Sequence, residues 1–120
     1  MPSYLASKGG LRSLTKGLAL DLARKKIKVK GIVPVYIKTN MTKLSYSNTE
    51  ERLLRTNRTI ANKWGTPSDL IGATIFLSSY ASDYINGQDI IVDGGWSAKG
   101  LWLEKIYTTI KITFLQFQNR

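Results

Sequence analysis

The sequence predicts an α/β fold, in which helices alternate with short strands. Residues 3–25 carry leucines at intervals of three and four, which is the spacing of one helix face. Short apolar runs at residues 27–33 and 89–92 predict strands. Between them, residues 66–79 have the composition of a helix with a well-formed start. Such an order of helices and strands is typical of α/β domains with a parallel sheet.

The first predicted helix carries Tyr4 and Lys8 one turn apart, on the same face. A cation beside a phenol favours the phenolate form, so such a pair can exchange a proton with a substrate hydroxyl or carbonyl. By itself this spacing is common, and a surface tyrosine beside a solvated lysine is the simpler interpretation. Ser3 is the predicted N-cap. Gly9 and Gly10 each cost up to ~1 kcal/mol relative to alanine, which favours close packing as the reason for them.

The later elements are predicted from local signals. Lys30 stands on the predicted strand 27–33, where a buried lysine is costly unless it is paired or reaches solvent. Residues 50–57 predict a short helix. Thr66 and Pro67 occupy the N-cap and first position of the helix that follows.

Composition excludes several classes of function. Among 120 residues there is no cysteine and no histidine, which removes disulfides, thiolate metal sites and the commonest metal ligand, so no metal site is predicted. The chain shows no signal-peptide pattern and no apolar run of ~20 residues, so a cytoplasmic protein without membrane contact is expected. The net charge of +10 allows a basic nucleic-acid-binding module as an alternative. No nucleic-acid motif accompanies the charge, so a basic surface without specific nucleic-acid binding is favoured.

Several short motifs follow one another along residues 2–98. They are PSYLASKGGL from residue 2, IVPVYIKT from 32, WGTPSDL from 64, FLSS from 76, ASDYINGQ from 81 and VDGGW from 92. Their order and rough spacing resemble the C-terminal half of the short-chain dehydrogenase/reductase family. Within that family they are most similar to the bacterial gluconate and 2-deoxygluconate dehydrogenases.

The resemblance implies a particular part of a known fold: the C-terminal half of a doubly wound, Rossmann-like parallel sheet, with the N-terminal dinucleotide-binding half missing. The 120 residues contain neither G-x-x-x-G-x-G nor G-x-G-x-x-G, the glycine-rich turns that seat a pyrophosphate. The family's catalytic serine precedes the tyrosine and is also absent. Residues 1–98 are therefore expected to form part of a Rossmann-like domain. Residues 99–120 resemble nothing in the family and are expected to be an unrelated tail, with an exposed strand over 105–113.

The resemblance also implies a chemistry. It is that of an NAD- or NADP-dependent oxidoreductase acting on a carbonyl or secondary alcohol, with a sugar acid as a candidate substrate. Tyr4 would donate or accept the proton, and Lys8 would assist it and hold the nicotinamide ribose. The main chain of Ile37 and the side chain of Thr39 would meet the cofactor, although Thr39 as an ordinary loop residue is equally consistent. Val35 stands where the family has glycine, which weakens the cofactor assignment because valine disfavours a positive φ.

The family's substrate-binding lid corresponds to residues 40–62. The cations there would attract the acid group of a sugar acid, although a solvated face is the favoured interpretation; they are Lys43, Arg52, Arg55 and Arg58. Without the first half, this chain is expected to be a truncated fragment with little or no activity alone. The alternative is a non-catalytic remnant or interaction fragment. If it folds, a homo-oligomer is expected, since the first helix pairs with its copy in the family.

Overall fold

The computed structural model describes residues 2–99, and the predicted tail and its strand at 105–113 lie outside the described residues. The chain alternates helical segments with two strands. The five α-helices are α1 (Pro2–Asp21), α2 (Lys43–Ser47), α3 (Thr49–Thr56), α4 (Ile71–Ser78) and α5 (Trp96–Lys99). The strands are β1 (Gly31–Pro34) and β2 (Asp89–Val92). Short 3-10 turns connect them at Ala23–Lys25, Asn40–Thr42, Pro67–Leu70 and Tyr80–Ser82.

The two strands form a parallel sheet, which confirms the α/β prediction. Gly31 lies opposite Asp89 and Pro34 lies opposite Val92. Parallel strands need a crossover, and the helical segments between β1 and β2 provide it. Beyond β1 the pairing continues as an isolated parallel bridge between Ile37 and Gly65. Among residues 2–99, β1 pairs with β2 alone.

Several element boundaries differ from the predictions. The helix predicted over 50–57 is α3 (Thr49–Thr56), and the helix predicted over 66–79 begins as the 3-10 turn Pro67–Leu70 and continues as α4. α1 begins at Pro2, so Ser3 lies inside the helix rather than at its cap, and α1 ends at Asp21. β1 begins at Gly31 and not at residue 27. The reason is that residues 27–30 are held by other partners: Val29 N–H donates to Asn86 Oδ1 (2.8 Å), and Val29 O accepts from Gly87 N–H (2.8 Å).

Lys30 finds the partners that a half-buried lysine requires. Its Nζ donates to Leu77 O at 2.9 Å and to Ser82 Oγ at 2.6 Å. Ser82 is itself 1% exposed and lies just beyond α4. Lys30 therefore joins the start of β1 to the end of α4, and its hydrogen bonds offset the desolvation cost.

A left-handed backbone is expected at residue 35, where the family has glycine, but in the structure residue 36 adopts it. Val35 does not have a positive φ, whereas Tyr36 has φ of 53°. This conformation costs a non-glycine residue about 1–2 kcal/mol. The Tyr36 ring lies 5.7 Å from the Trp64 ring and 6.4 Å from the Trp96 ring, centroid to centroid, and this aromatic packing offsets part of the cost.

The apolar core is small and α1 is largely uncovered. Among residues 2–99 the buried hydrophobic side chains are Ala19, Ile37 and Trp64. Leucines along α1 remain exposed, and apart from the neighbouring residues and backbone of α1 itself no described heavy atom lies within 4 Å of a β-carbon placed on Gly9 or Gly10. The close packing predicted for these glycines is therefore not made within the described residues.

Between residues 2 and 99, no helix has both the length and the apolar character needed to cross a bilayer. The cytoplasmic location and the domain boundary at residue 98 stay predictions.

Gly95 provides a direct test of the turn that follows β2. Its φ is 83°, and a β-carbon there would lie 2.8 Å from Ile60 Cβ. Strain and overpacking together predict that Gly95→Ala lowers the free energy of unfolding by at least about 2 kcal/mol, measured by urea denaturation followed by circular dichroism. Gly72→Ala is the control, because open space surrounds Gly72 on α4. That substitution should raise stability by up to ~1 kcal/mol, and equal effects of the two would contradict the described turn.

Acid should destabilise the fold through three aspartates whose pKa values lie below the ordinary value. Hydrogen bonds from Thr66 lower the pKa of Asp69, and the Lys28 ammonium lowers the pKa of Asp83. Burial alone would raise the pKa of Asp93, but hydrogen bonds from Ser97 and Gly95 outweigh it, so the net direction is down.

A carboxyl whose pKa is lower in the folded state stabilises the fold above its unfolded pKa of about 3.9, and this contribution disappears as pH falls through the folded value. The denaturation midpoint should therefore fall as pH drops from about 5 to 3. Asp93→Asn should reduce the midpoint at pH 7 and flatten its fall in acid. An unchanged pH profile in Asp93→Asn would show that Asp93 does not contribute.

Candidate active site

A cleft of about 530 Å³ lies between α1, β1 and the segment that follows β1. The four residues predicted for catalysis and cofactor binding all line it, namely Tyr4, Lys8, Ile37 and Thr39. The structure therefore brings together residues that are up to 35 positions apart in the sequence. Their individual roles stay predictions.

Tyr4 and Lys8 share one face of α1, as their spacing predicts. The Lys8 ammonium lies 5.5 Å from the centroid of the Tyr4 ring. Tyr4 is 50% exposed, so its side chain is accessible to a ligand in the cleft. Side chains of these two types can transfer a proton to or from a ligand, and that role stays a prediction for Tyr4 and Lys8.

Ile37 is held so that its main-chain donor is available. Its neighbours make the bridge to Gly65: Gly65 N–H donates to Tyr36 O (3.0 Å) and Lys38 N–H donates to Gly65 O (2.9 Å). The Ile37 carbonyl accepts from Thr42 Oγ1 at 2.7 Å. Within residues 2–99, Ile37 N–H makes no hydrogen bond, although the residue is only 9% exposed. An amide group in this state is a ready donor for a ligand in the cleft.

Thr42 fixes the segment between Ile37 and Thr39, and sequence reasoning did not single it out. Thr39 N–H donates to Thr42 Oγ1 at 2.9 Å, and Thr42 also reaches the Ile37 carbonyl. Two hydroxyl residues three positions apart are a capping-box spacing, so the signal was present in the sequence. The Thr39 hydroxyl lies 3.3 Å from Thr42 Oγ1.

A cluster of aromatic rings packs beside the cleft, and two of its members, Tyr36 and Trp64, line it. The sequence motifs did not identify this cluster. Tyr36, Tyr46, Trp64 and Trp96 lie with neighbouring ring centroids 5.3–6.4 Å apart. Trp64 is 8% exposed, and its Nε1 donates to Arg52 O at 3.2 Å. The Arg55 guanidinium carbon lies 5.9 Å from the centroids of both Tyr36 and Trp64. These rings join α3 to the segment after β1.

The charge lining the cleft is predominantly positive. Its cations are Lys8, Arg12 and Arg55, and its carboxylate is that of Asp89. Asp89 is paired with Arg12, whose Nε lies 2.8 Å from Asp89 Oδ2. The cleft therefore favours an anionic ligand.

A larger cavity of about 670 Å³ lies beside α4 and contains none of the predicted site residues. It is lined by polar residues that include Lys28, Lys30 and Asp83. Lys28 is paired with Asp83, and Lys30 is bonded to Leu77 and Ser82. Apart from Lys26, its charged groups are bonded to other residues of the fold. The cleft beside α1, which holds the predicted site residues, is therefore the candidate active site.

Removing the Thr42 hydroxyl should loosen the segment that carries Ile37 and Thr39. Thr42→Val leaves the Thr39 amide without its acceptor, so exchange of that amide with deuterium should accelerate at least tenfold, measured by NMR. Thr42→Ser keeps the hydroxyl and should keep the protection. Equal exchange in the two variants would show that the hydroxyl does not hold this segment.

The chain is similar in sequence to several known proteins. A family model described as enoyl-(acyl carrier protein) reductase matches residues 1–97. The 5-keto-D-gluconate 5-reductase of Escherichia coli K12 is 49% identical over 92 residues, which cover 77% of this chain and 36% of that protein. The 2-dehydro-3-deoxy-D-gluconate 5-dehydrogenase of the same organism is 43% identical over 99 residues, which cover 82% of this chain and 39% of that protein.

A solved structure agrees with these matches. The gluconate 5-dehydrogenase of Burkholderia cenocepacia, crystallised in complex with NADP and tartrate, superimposes with a TM-score of 0.76 at 41% identity. The match covers 79% of this chain and 37% of that one. The chain spans somewhat more than a third of the length of the relatives it matches. With a family model matched over 97 residues, the α/β fold shared and the Tyr4–Lys8 pair in the cleft, the chain belongs to the short-chain dehydrogenase/reductase family.

Proposed function

We propose that this chain provides the proton-transfer residues and the nicotinamide-side contacts of an NAD(P)-dependent oxidoreductase, which acts on a carbonyl or secondary alcohol of a gluconate-type sugar acid. The observation that carries the proposal is the convergence of Tyr4, Lys8, Ile37 and Thr39 on one cleft. The positive lining of that cleft suits an acid. The relatives support the same substrate class, since their names concern keto- and deoxygluconates.

In the proposed reaction Tyr4 holds or gives the proton at the substrate oxygen. A general acid must lie within hydrogen-bond reach of the oxygen that it serves. In support, Tyr4 lines the cleft and is exposed to a ligand there. The Lys8 ammonium, 5.5 Å from the centroid of the Tyr4 ring, donates to hydroxyl groups of a bound ligand. Both side chains come from one rigid helix, which limits their motion relative to each other.

The residues present fit one end of the cofactor. The Ile37 N–H donor and the Thr39 hydroxyl suit a carboxamide, and Lys8 suits ribose hydroxyls. When bound, the cofactor supplies or accepts the hydride. The 120 residues contain no glycine-rich turn for the pyrophosphate, so the other end of the cofactor finds no such turn in them. For this reason the chain by itself is proposed to have little or no activity.

A second candidate function is that of a non-catalytic interaction fragment. The exposed leucines of α1 favour it: Leu5, Leu11 and Leu14 are 67%, 56% and 53% exposed. Such an apolar face is stabilised when another surface covers it. A second copy of the chain, as in a homo-oligomer, is the proposed cover.

Restoring the first half should restore the chemistry. A chimera that joins the residues preceding the match in the Escherichia coli 5-keto-D-gluconate 5-reductase to residues 2–99 should oxidise NADPH or NADH in the presence of 5-ketogluconate, followed by absorbance. Tyr4→Phe in that chimera should reduce kcat by about 10²- to 10⁴-fold, because the proton donor is lost. Residues 1–120 alone should show no turnover.

Tyr84→Phe is the matched control, because Tyr84 is fully exposed and lies outside the lining of the cleft. It should leave kcat unchanged. Full activity of Tyr4→Phe would refute the role of Tyr4. An inactive chimera with Tyr4 present would favour the non-catalytic fragment.

A further inference from the structure

Arg55 is the cation that the structure separates from the other basic residues of the 40–62 segment. It lies in the last turn of α3 and lines the cleft together with Tyr4 and Lys8. Its side chain is 33% exposed. Lys43, Arg52 and Arg58 do not line the cleft. Lys43 and Arg58 are exposed, and the Arg52 guanidinium carbon lies 5.5 Å from the centroid of the Tyr46 ring.

The guanidinium of Arg55 is held in place before any ligand arrives. Its Nη1 donates to Ser45 Oγ, and its Nη2 lies 3.2 Å from Glu51 Oε2. Ser45 Oγ in turn donates to Glu51 Oε2 at 2.5 Å. The rings of Tyr36 and Trp64 lie against the guanidinium from the side of β1. An arginine fixed in this way loses little conformational entropy when it binds.

Within residues 2–99, the contacts of the Arg55 guanidinium use only some of its N–H donors. A guanidinium carries five N–H groups, and Ser45 and Glu51 engage two of them. The remaining donors form part of the planar fork that matches a carboxylate. Glu51 is an exposed i,i+4 partner, and such pairs contribute little stability, so it does not prevent Arg55 from meeting a second carboxylate.

The other cations of the cleft have other partners. Arg12 is bound to Asp89, and Lys8 stands beside the Tyr4 phenol. The Asp89 side chain is 12% exposed and needs its partner, whereas Glu51, the partner of Arg55, is 49% exposed. Arg55 is therefore the cation of the cleft that turns to an acidic substrate at the smaller cost. We infer that Arg55 determines specificity by binding the carboxylate of a sugar acid whose reacting hydroxyl or carbonyl lies at Tyr4. The inference rests on the proposed function and adds to it the residue that distinguishes an acid from a neutral polyol.

The test uses the 120-residue chain and two probes of equal carbon number, D-gluconate and the neutral polyol D-glucitol, titrated by saturation-transfer NMR. The wild-type chain should bind gluconate on the order of 10- to 100-fold more tightly, which is the size expected for a charge-assisted hydrogen-bonded pair. Arg55→Gln should abolish this preference. Arg55→Lys should keep part of it, because the charge remains but the fork is lost. Arg58→Gln removes the same charge from an exposed position and should keep the full preference.

A chemical measurement on the wild-type chain avoids dependence on the folding of a variant. Phenylglyoxal modifies accessible arginines, and peptide mapping by mass spectrometry locates the modification. Gluconate should protect Arg55, glucitol should not, and Arg58 should react equally in both.

The outcomes separate the inference from the proposed function. If gluconate binds equally to the wild type and to Arg55→Gln and gives no protection, Arg55 does not bind the carboxylate, while a sugar-acid site still stands. If the wild type binds gluconate no more tightly than glucitol, the inference is overturned together with the sugar-acid part of the proposed function. Loss of preference in Arg55→Gln with retention in Arg58→Gln supports both.

Discussion

The parallel pairing of β1 with β2 is the interaction on which the site depends. It places Asp89 beside Gly31, and Asp89 in turn binds Arg12 of α1. A β-carbon on Gly31 would lie 2.1 Å from Asp89 Oδ1, so the absence of a side chain allows this approach. The ion pair ties α1 to the sheet. As a result, Tyr4 and Lys8 line the same cleft as the segment that leaves β1.

The second constraint is the path of the chain after β1. The left-handed backbone of Tyr36 redirects it, and the bridge between Ile37 and Gly65 uses the main-chain groups on either side of Ile37. The Ile37 amide therefore remains for a ligand. Backbone strain of this kind persists where the surrounding contacts determine it, and here the aromatic packing of Tyr36 does so. The Tyr36 ring also lies 5.9 Å from the Arg55 guanidinium carbon, so the segment after β1 and the end of α3 share one support.

The balance of buried and exposed surface agrees with the partial match to the relatives. Parallel sheets in α/β domains are covered on both faces, and a small core of Ala19, Ile37 and Trp64 does not achieve this. The apolar face of α1 is left uncovered by residues 2–99.

The sequence by itself determined the local features: the α/β class, the spacing that puts Tyr4 and Lys8 on one face, the capped start near Thr66 and the family motifs. These follow from helical period and backbone preference, which act over a few residues. Only the tertiary structure decided which partners Lys30 finds, where β1 begins, that Tyr36 rather than Val35 takes the left-handed backbone, and that Arg55 alone among its basic neighbours lines the cleft. Each of these depends on contacts between residues distant in the chain, and no periodic pattern in the sequence encodes them.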